Sequence, residues 1–389
     1  MVSYRSMIEE RGLTLKKYMI IPDSFKGTLS SMEVSKIIQE EIIKVDPQAD
    51  IKTLPVADGG EGSVTAFLAI LPGKKVFVRV KNPYFEMMTS FYGLIDSGKT
   101  AIIEMAACAG LPLVEDRLNP ALTTTYGVGE LILHALDHGV NKIILGLGGS
   151  ATNDGGCGCA AALGVKFYNK DHLSFIPTGG TLHLIESIDL SGIDCRLTHV
   201  KFITMCDIDH PLYGHEGAAY VFGPQKGADP AMVAMLDTHL KHLSHKVKQA
   251  TGFNDPFFKG AGAAGGMGYG VKVFFNATIQ MGIETILDAI HFDELAKDVD
   301  VIITGEGKLD YQSLRGKVVI GVARRAKKTK AKVVAVVGAM EGEKEDFQKE
   351  GVDHIIITNY LNLSFEKLKL RAENDIRYTV SLFLKQHRL

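Results

Sequence analysis

Short runs of β-branched and aliphatic residues recur along this chain. Most are followed by a polar turn and then by a stretch with helical spacing. The runs at 17–21, 50–54, 75–80, 101–105, 142–145, 201–205, 299–304 and 332–337 predict strands. Several are apolar at successive positions, the pattern of a strand covered on both faces of a parallel sheet. Periodicity near 3.6 predicts helices over 31–45, 62–70, 128–137, 231–250, 283–290 and 317–327. Strands alternating with helices in this way predict an α/β protein with mainly parallel sheets.

Nearly every glycine-rich polar turn falls directly after one of these strands. Open α/β sheets bind ligands outside the carboxyl ends of their strands. The position of the turns is therefore a functional signal before any single motif is weighed.

At 389 residues the chain exceeds one ordinary core, so two domains are expected. A composition 46% hydrophobic and 23% charged is globular, and a formal charge of −2 argues against nucleic acid as the main partner. Five cysteines form no disulfide framework. Cys157 and Cys159 stand between glycines without zinc spacing and are expected as small buried residues. The first seventeen residues lack the apolar core of a signal peptide, and no stretch approaches the roughly 20 apolar residues of a membrane span. The expectation is a cytoplasmic protein without membrane contact. His239, His242 and His245 share a helical stripe and are expected on a solvated face.

Six turn regions carry chemistry. In the first, after the strand at 17–21, Asp23 is a hard oxygen ligand or a base. Beside Ser24 there, Lys26 is a compact cation for phosphate or carboxylate, and Gly27 permits close backbone approach. The second, 56–62, places Asp58 and Glu61 around two glycines; Mg²⁺ coordination or a substrate hydroxyl would each explain them. The third, 146–156, is the densest: five glycines together with Ser150, Thr152, Asn153 and Asp154. Such a turn can expose a row of backbone amides that cradles phosphate oxygens. It has no Walker lysine, and no Gly-x-Gly-x-x-Gly register is convincing.

The fourth region pairs Asp207 and Asp209, just past the strand at 201–205, with Lys226 in the constrained turn 222–227. The fifth, 259–268, offers backbone only: a phosphate or adenine contact, a hinge, or close helix packing. The sixth, 304–313, alternates Glu306, Lys308 and Asp310 at a strand end. An acid–base–acid run there suits metal-assisted phosphoryl transfer, which works mainly by positioning and charge neutralisation.

Taken together, DSFKG at 23–27, ADGGEG at 57–62, GGSATNDGG at 148–156, CDIDHPL at 206–212, FGPQKGA at 222–228, GAGAAGGMG at 260–268 and TGEGKLDYQS at 304–313 resemble the glycerate kinase family of the bacterial type that acts on D-glycerate. His210 stands where that family commonly has asparagine. The resemblance implies two α/β domains with mainly parallel sheets and an interdomain active-site cleft. The first would be a discontinuous Rossmann- or flavodoxin-like domain built from 1–95 and 295–389, with 96–294 inserted as the second. It also implies ATP, Mg²⁺ and D-glycerate, with 2-phosphoglycerate as product and 3-phosphoglycerate as the alternative. A homodimer is compatible with it.

The expected roles follow. Asp207, or else Asp310, accepts the proton of the glycerate hydroxyl, with Asp23 and Lys26 also catalytic. Ser24, Lys226, Glu306, Lys308 and the turn carrying Gly148, Gly149, Ser150, Thr152, Asn153 and Asp154 bind substrate or phosphate. Asp58 and Glu61 hold the metal. Two rival classes are a nicotinamide-dependent oxidoreductase and a non-catalytic carboxylate- or nucleotide-binding module. The first lacks its glycine fingerprint, and the second needs fewer strand-end carboxylates.

Overall fold

The computed structural model describes residues 15–56 and 62–387. The chain divides into two compact units: Met1–Ala57 with Ile286–Leu389, and Asp58–Thr285.

The chain starts in unit 1 with β1 (Lys17–Pro22), the helix Ser31–Val45 and β2 (Asp50–Thr53). Unit 2 contributes β3 (Gly73–Lys81), β4 (Met87–Ile95), β5 (Thr100–Glu104), β6 (Lys142–Gly146), β7 (Lys166–Tyr168), β8 (Ser174–Phe175), β9 (Ser187–Asp189), β10 (Lys201–Met205) and β11 (Thr278–Gln280). Unit 1 then resumes with β12 (Val301–Leu309), β13 (Lys332–Met340) and β14 (His354–Ile357).

In unit 1 the strand order is β14-β13-β12-β1-β2, parallel throughout. Counted within the unit this is the doubly wound order 2-1-3-4-5, whose direction of winding reverses between β1 and β12. The switch point of such a sheet is where a ligand crevice opens. Burial of alternate residues explains the apolar run that marks β1. Tyr18 and Ile20 join a core with Val34, Ile38 and Ile376 from the helices Ser31–Val45 and Ala372–His387, while Met19 and Ile21 are buried on the opposite face. The first of these helices starts from a complete capping box, Ser30 with Glu33.

Unit 2 has a six-stranded sheet of order β11-β10-β6-β5-β4-β3 and a small antiparallel sheet of order β8-β7-β9. Strands β5, β6, β10 and β11 are parallel, whereas β3 and β4 form an antiparallel hairpin joined to β5. That hairpin moves the first boundary. Residues 58–95 had been expected in the first domain, but β4 pairs with β5 from Gly93↔Ile102 to Ile95↔Thr100, so they belong to unit 2. The return to unit 1 comes at Ile286 rather than 295. Among the described residues, no helix is long and apolar enough to cross a membrane.

Candidate active site

In unit 1 the candidate residues gather at the carboxyl ends of β1 and β12, the two strands at the switch point. The Asp23 amide donates to the Gly305 carbonyl at 2.8 Å, fastening the first turn to the end of β12. Asp23 Oδ1 accepts from the Ser24 amide at 2.6 Å, and the Thr28 hydroxyl donates to the Phe25 carbonyl at 2.7 Å. Gly27 has φ +77, a backbone conformation that favours glycine, and a Cβ there would also press on the exposed Phe365 ring at 2.9 Å. Lys26 is exposed beside it. Ser31, which the sequence pattern did not single out, ties the end of β1 to Val56. Its hydroxyl donates to the Pro22 carbonyl at 2.7 Å and accepts from the Val56 amide at 3.0 Å.

Glu306 lies on β12 between two glycines that let neighbouring backbone close in. A Cβ on Gly305 would come within 2.3 Å of the Val336 carbonyl. Glu306 is only 6% exposed, and its Oε1 has no hydrogen-bond partner. Burial pushes its carboxyl up to about 7, helped by the charges of Asp23 and Asp310 and opposed by a Ser313 hydrogen bond and Lys317. Asp310 closes an Asx turn, its Oδ1 accepting from the amides of Gln312 at 2.8 Å and Ser313 at 3.2 Å. Lys308, expected near phosphate, is exposed and paired with Glu341 at the end of β13. Asp58 and Glu61 lie outside the described residues.

In unit 2 the turn 146–156 follows β6, and the Asp207 loop follows the neighbouring β10. Gly149, Gly155 and Gly156 have φ of +74, +62 and +77, which the turn's path demands. Asp154 clamps the turn to Thr125 and to the start of the helix Cys157–Ala162. It accepts from the Thr125 amide and hydroxyl, both at 2.8 Å, and from the amides of Gly156 at 3.1 Å and Gly158 at 3.2 Å. Burial raises its carboxyl while these four donors pull it down. Asp154 thus accepts four hydrogen bonds that fix the shape of the turn. Thr152 and Asn153 are fully buried, and the Thr152 hydroxyl and both Asn153 amide atoms lack partners.

The fifth segment proves to be close packing. A Cβ on Gly265 would lie 1.9 Å from the Thr152 carbonyl, and one on Gly270 would lie 2.5 Å from that of Gly155. Two backbones meet here where side chains would not fit.

Lys226 is buried against the 146–156 turn. It is 2% exposed, and its Nζ donates to Ser150 Oγ at 2.9 Å and to the Thr152 carbonyl at 2.7 Å, so it faces the turn from inside. Asp207 Oδ1 accepts from the Gly282 amide at 2.7 Å, and Asp209 pairs with Lys259 at 3.5 Å. The two aspartates that follow one strand are thus drawn to different neighbours. His210 donates from Nδ1 to the Glu216 carbonyl at 2.9 Å, which anchors that loop without an asparagine. Cys157 and Cys159 are buried thiols as expected. The histidine stripe is only partly solvated. His239 is buried with Nδ1 2.9 Å from the Gly179 carbonyl, His242 reaches the Ile185 carbonyl at 2.8 Å, and His245 alone is exposed. Here carbonyls of the 179–185 segment supply acceptors that helical spacing cannot reveal.

The family model described as the glycerate kinase family matches residues 18–387. The chain belongs to the glycerate kinase family. It is 43% identical to the glycerate kinase of Bacillus cereus over 93% of this chain and 96% of that one. It is 42% identical to the glycerate 2-kinase of Escherichia coli over 87% of this chain and 89% of that one. A solved chain from Salmonella typhimurium LT2, assigned as a glycerate kinase 2, superposes with a TM-score of 0.82 at 40% identity, covering 96% of this chain and all (100%) of the other. Membership in this family makes the chain a kinase, and so a transferase. It sets aside both the oxidoreductase and the non-catalytic module.

Proposed function

We propose that this enzyme transfers the γ-phosphoryl group of ATP to the 2-hydroxyl of D-glycerate, with Mg²⁺, in the cytoplasm. The observation that carries the reading is the placement of four family motifs, two in each unit, at the carboxyl ends of two adjacent parallel strands, β1/β12 and β6/β10. The 2-phosphoglycerate product draws its support from the resemblance to the E. coli glycerate 2-kinase.

Among the described residues, no three metal-binding side chains form a ready-made cluster. Mg²⁺ does not need one: it is held by one or two carboxylates, with phosphate oxygens and water completing the shell. Asp58, Glu61 and Asp310 are each hard oxygen donors of the kind it takes. When bound, the ion would neutralise charge on the transferring group.

The chain's own residues do the rest. Backbone amides of the 148–150 turn receive phosphate oxygens. Lys26 and Ser24 meet the phosphate or the glycerate carboxylate, and Glu306 shapes the same site. Asp207 takes the proton of the attacking hydroxyl, with the reacting groups held in line.

ADP release with ATP, Mg²⁺ and D-glycerate, measured against a glycerate-free blank, tests the reaction. Phosphorus NMR of the product tests the position. A phosphate on the secondary carbon couples to one proton, and one on the primary carbon couples to two. Coupling to two protons overturns the 2-phosphoglycerate assignment. Asp207→Asn in a protein confirmed to be folded should lower kcat on the order of 100-fold or more; a loss of only a few-fold removes Asp207 from the base role.

A further inference from the structure

We propose that Lys226 is a positioning residue, an internal brace that holds the 148–154 turn in the shape that receives ATP phosphates, and that it does not contact the ligand. The inference rests on the phosphate-binding reading of that turn.

The brace is rigid at its root. Lys226 ends the short 3₁₀ turn Pro224–Lys226, whose proline fixes one dihedral, and its amide donates to the Gly223 carbonyl at 3.0 Å. Gly227 follows with φ +93, and a Cβ there would lie 2.7 Å from the Leu118 carbonyl, so the backbone cannot slide past. From this anchor the side chain runs inward to Ser150 Oγ and the Thr152 carbonyl.

The turn itself explains why a brace is needed. Its carbonyls are drawn inward one after another. Gly149 accepts from the Leu111 amide at 2.9 Å, Ala151 from the Thr123 hydroxyl at 2.8 Å, and Thr152 from Lys226. With these three carbonyls held, the path of the turn is fixed, and its backbone amides are the groups the phosphate-binding reading turns toward the ligand. The buried polar groups next to Lys226's target, the Thr152 hydroxyl and the Asn153 amide, make no bond that could replace the brace.

Lysine suits the role in either protonation state. Burial pushes Lys226 down to about 7, with Asp154 holding it up. An uncharged amine still has two N–H groups, one for each acceptor, so the brace survives across neutral pH.

The test uses the full chain as wild type, Lys226→Met, Ser150→Ala and the double variant. ADP release is measured with ATP varied at saturating D-glycerate and the converse, and each protein is melted in parallel. Lys226→Met should raise KM for ATP at least tenfold and leave KM for glycerate within about twofold. Ser150→Ala should shift KM in the same direction by less. The double variant should be no worse than Lys226→Met, because both substitutions remove one shared contact. If both single variants keep the wild-type KM for ATP, or if their losses multiply in the double variant, the brace is refuted. A drop in Tm with no change in KM refutes it equally, since that is the signature of a purely structural lysine. Should Lys226→Met fail to fold, Ser150→Ala carries the test alone, and a wild-type KM in that variant overturns the proposal. Wild-type protein that releases no ADP above the blank overturns the kinase reading instead.

Discussion

Replacing Glu306 by glutamine removes a carboxyl that is neutral at acid pH and disfavoured in its charged form when buried. Its pKa rises from an ordinary 4.5 to about 7 in the folded protein. Between those values the folded chain holds a proton that the unfolded chain has released, so stability falls as pH rises through the window. Below 4.5 nothing is lost, and above 7 the loss is complete. The gap is about 2.5 pH units, and at about 1.36 kcal/mol per unit the loss is at most about 3 kcal/mol. Glutamine has the shape of the protonated acid and does not ionise. Glu306→Gln should therefore match wild type near pH 4.5 and exceed it by up to about 3 kcal/mol at pH 8. Two units need not unfold in one step, so the quantity to compare is the urea midpoint of each transition at several pH values, not an extrapolated free energy. A wild-type-to-variant difference that stays flat from pH 5 to pH 8 would refute the buried, proton-holding carboxyl.

The remaining predictions concern other parts of the fold. Gly252 and Gly265 both have positive φ, +76 and +66, but a Cβ on the first meets nothing within 4 Å while one on the second overlaps the Thr152 carbonyl. Gly252→Ala should cost about 1 kcal/mol and Gly265→Ala about 2–5, by urea unfolding; equal losses would contradict the backbone contact. Asp154→Ala leaves three amides and a hydroxyl without their acceptor and should cost at least about 3 kcal/mol by the same measurement. A loss below about 1 kcal/mol would show that the turn does not depend on it. Of the five cysteines only Cys195 is exposed, so brief alkylation of native protein should modify that residue alone by mass spectrometry. Labelling of Cys157 or Cys159 on the same timescale would contradict their burial.

Sequence pattern revealed the parallel strands because burial on both faces leaves an unbroken apolar run, as β1 and β12 show. It missed β4, whose outer half alternates exposure and whose partners are antiparallel. The domain boundary was misplaced for that reason. In the candidate site the locations were legible, since glycine-rich turns after strands are a local signal. The roles were less so. Lys226 and Asp154 read from sequence as ligand-binding charges, yet their partners lie on the turn itself, and Lys226 reaches Ser150 across 76 positions of chain. Packing between the 152–156 and 263–270 segments was equally hidden, because composition cannot distinguish a glycine that faces a ligand from one that faces another backbone.

The parallel pairing of β1 with β12 has a consequence during synthesis. The Thr304 hydroxyl donates to the Ile21 carbonyl at 2.9 Å, across 283 positions. At about 5–20 residues per second, a nascent β1 waits on the order of 15–60 s for the neighbour that completes its sheet. Unit 2 is one uninterrupted stretch and can form in that interval, leaving the first strand–helix–strand segment with an open edge beside the ribosome. This stretch is where a chaperone would have most to protect, and truncations that stop before residue 301 should leave that segment prone to aggregation.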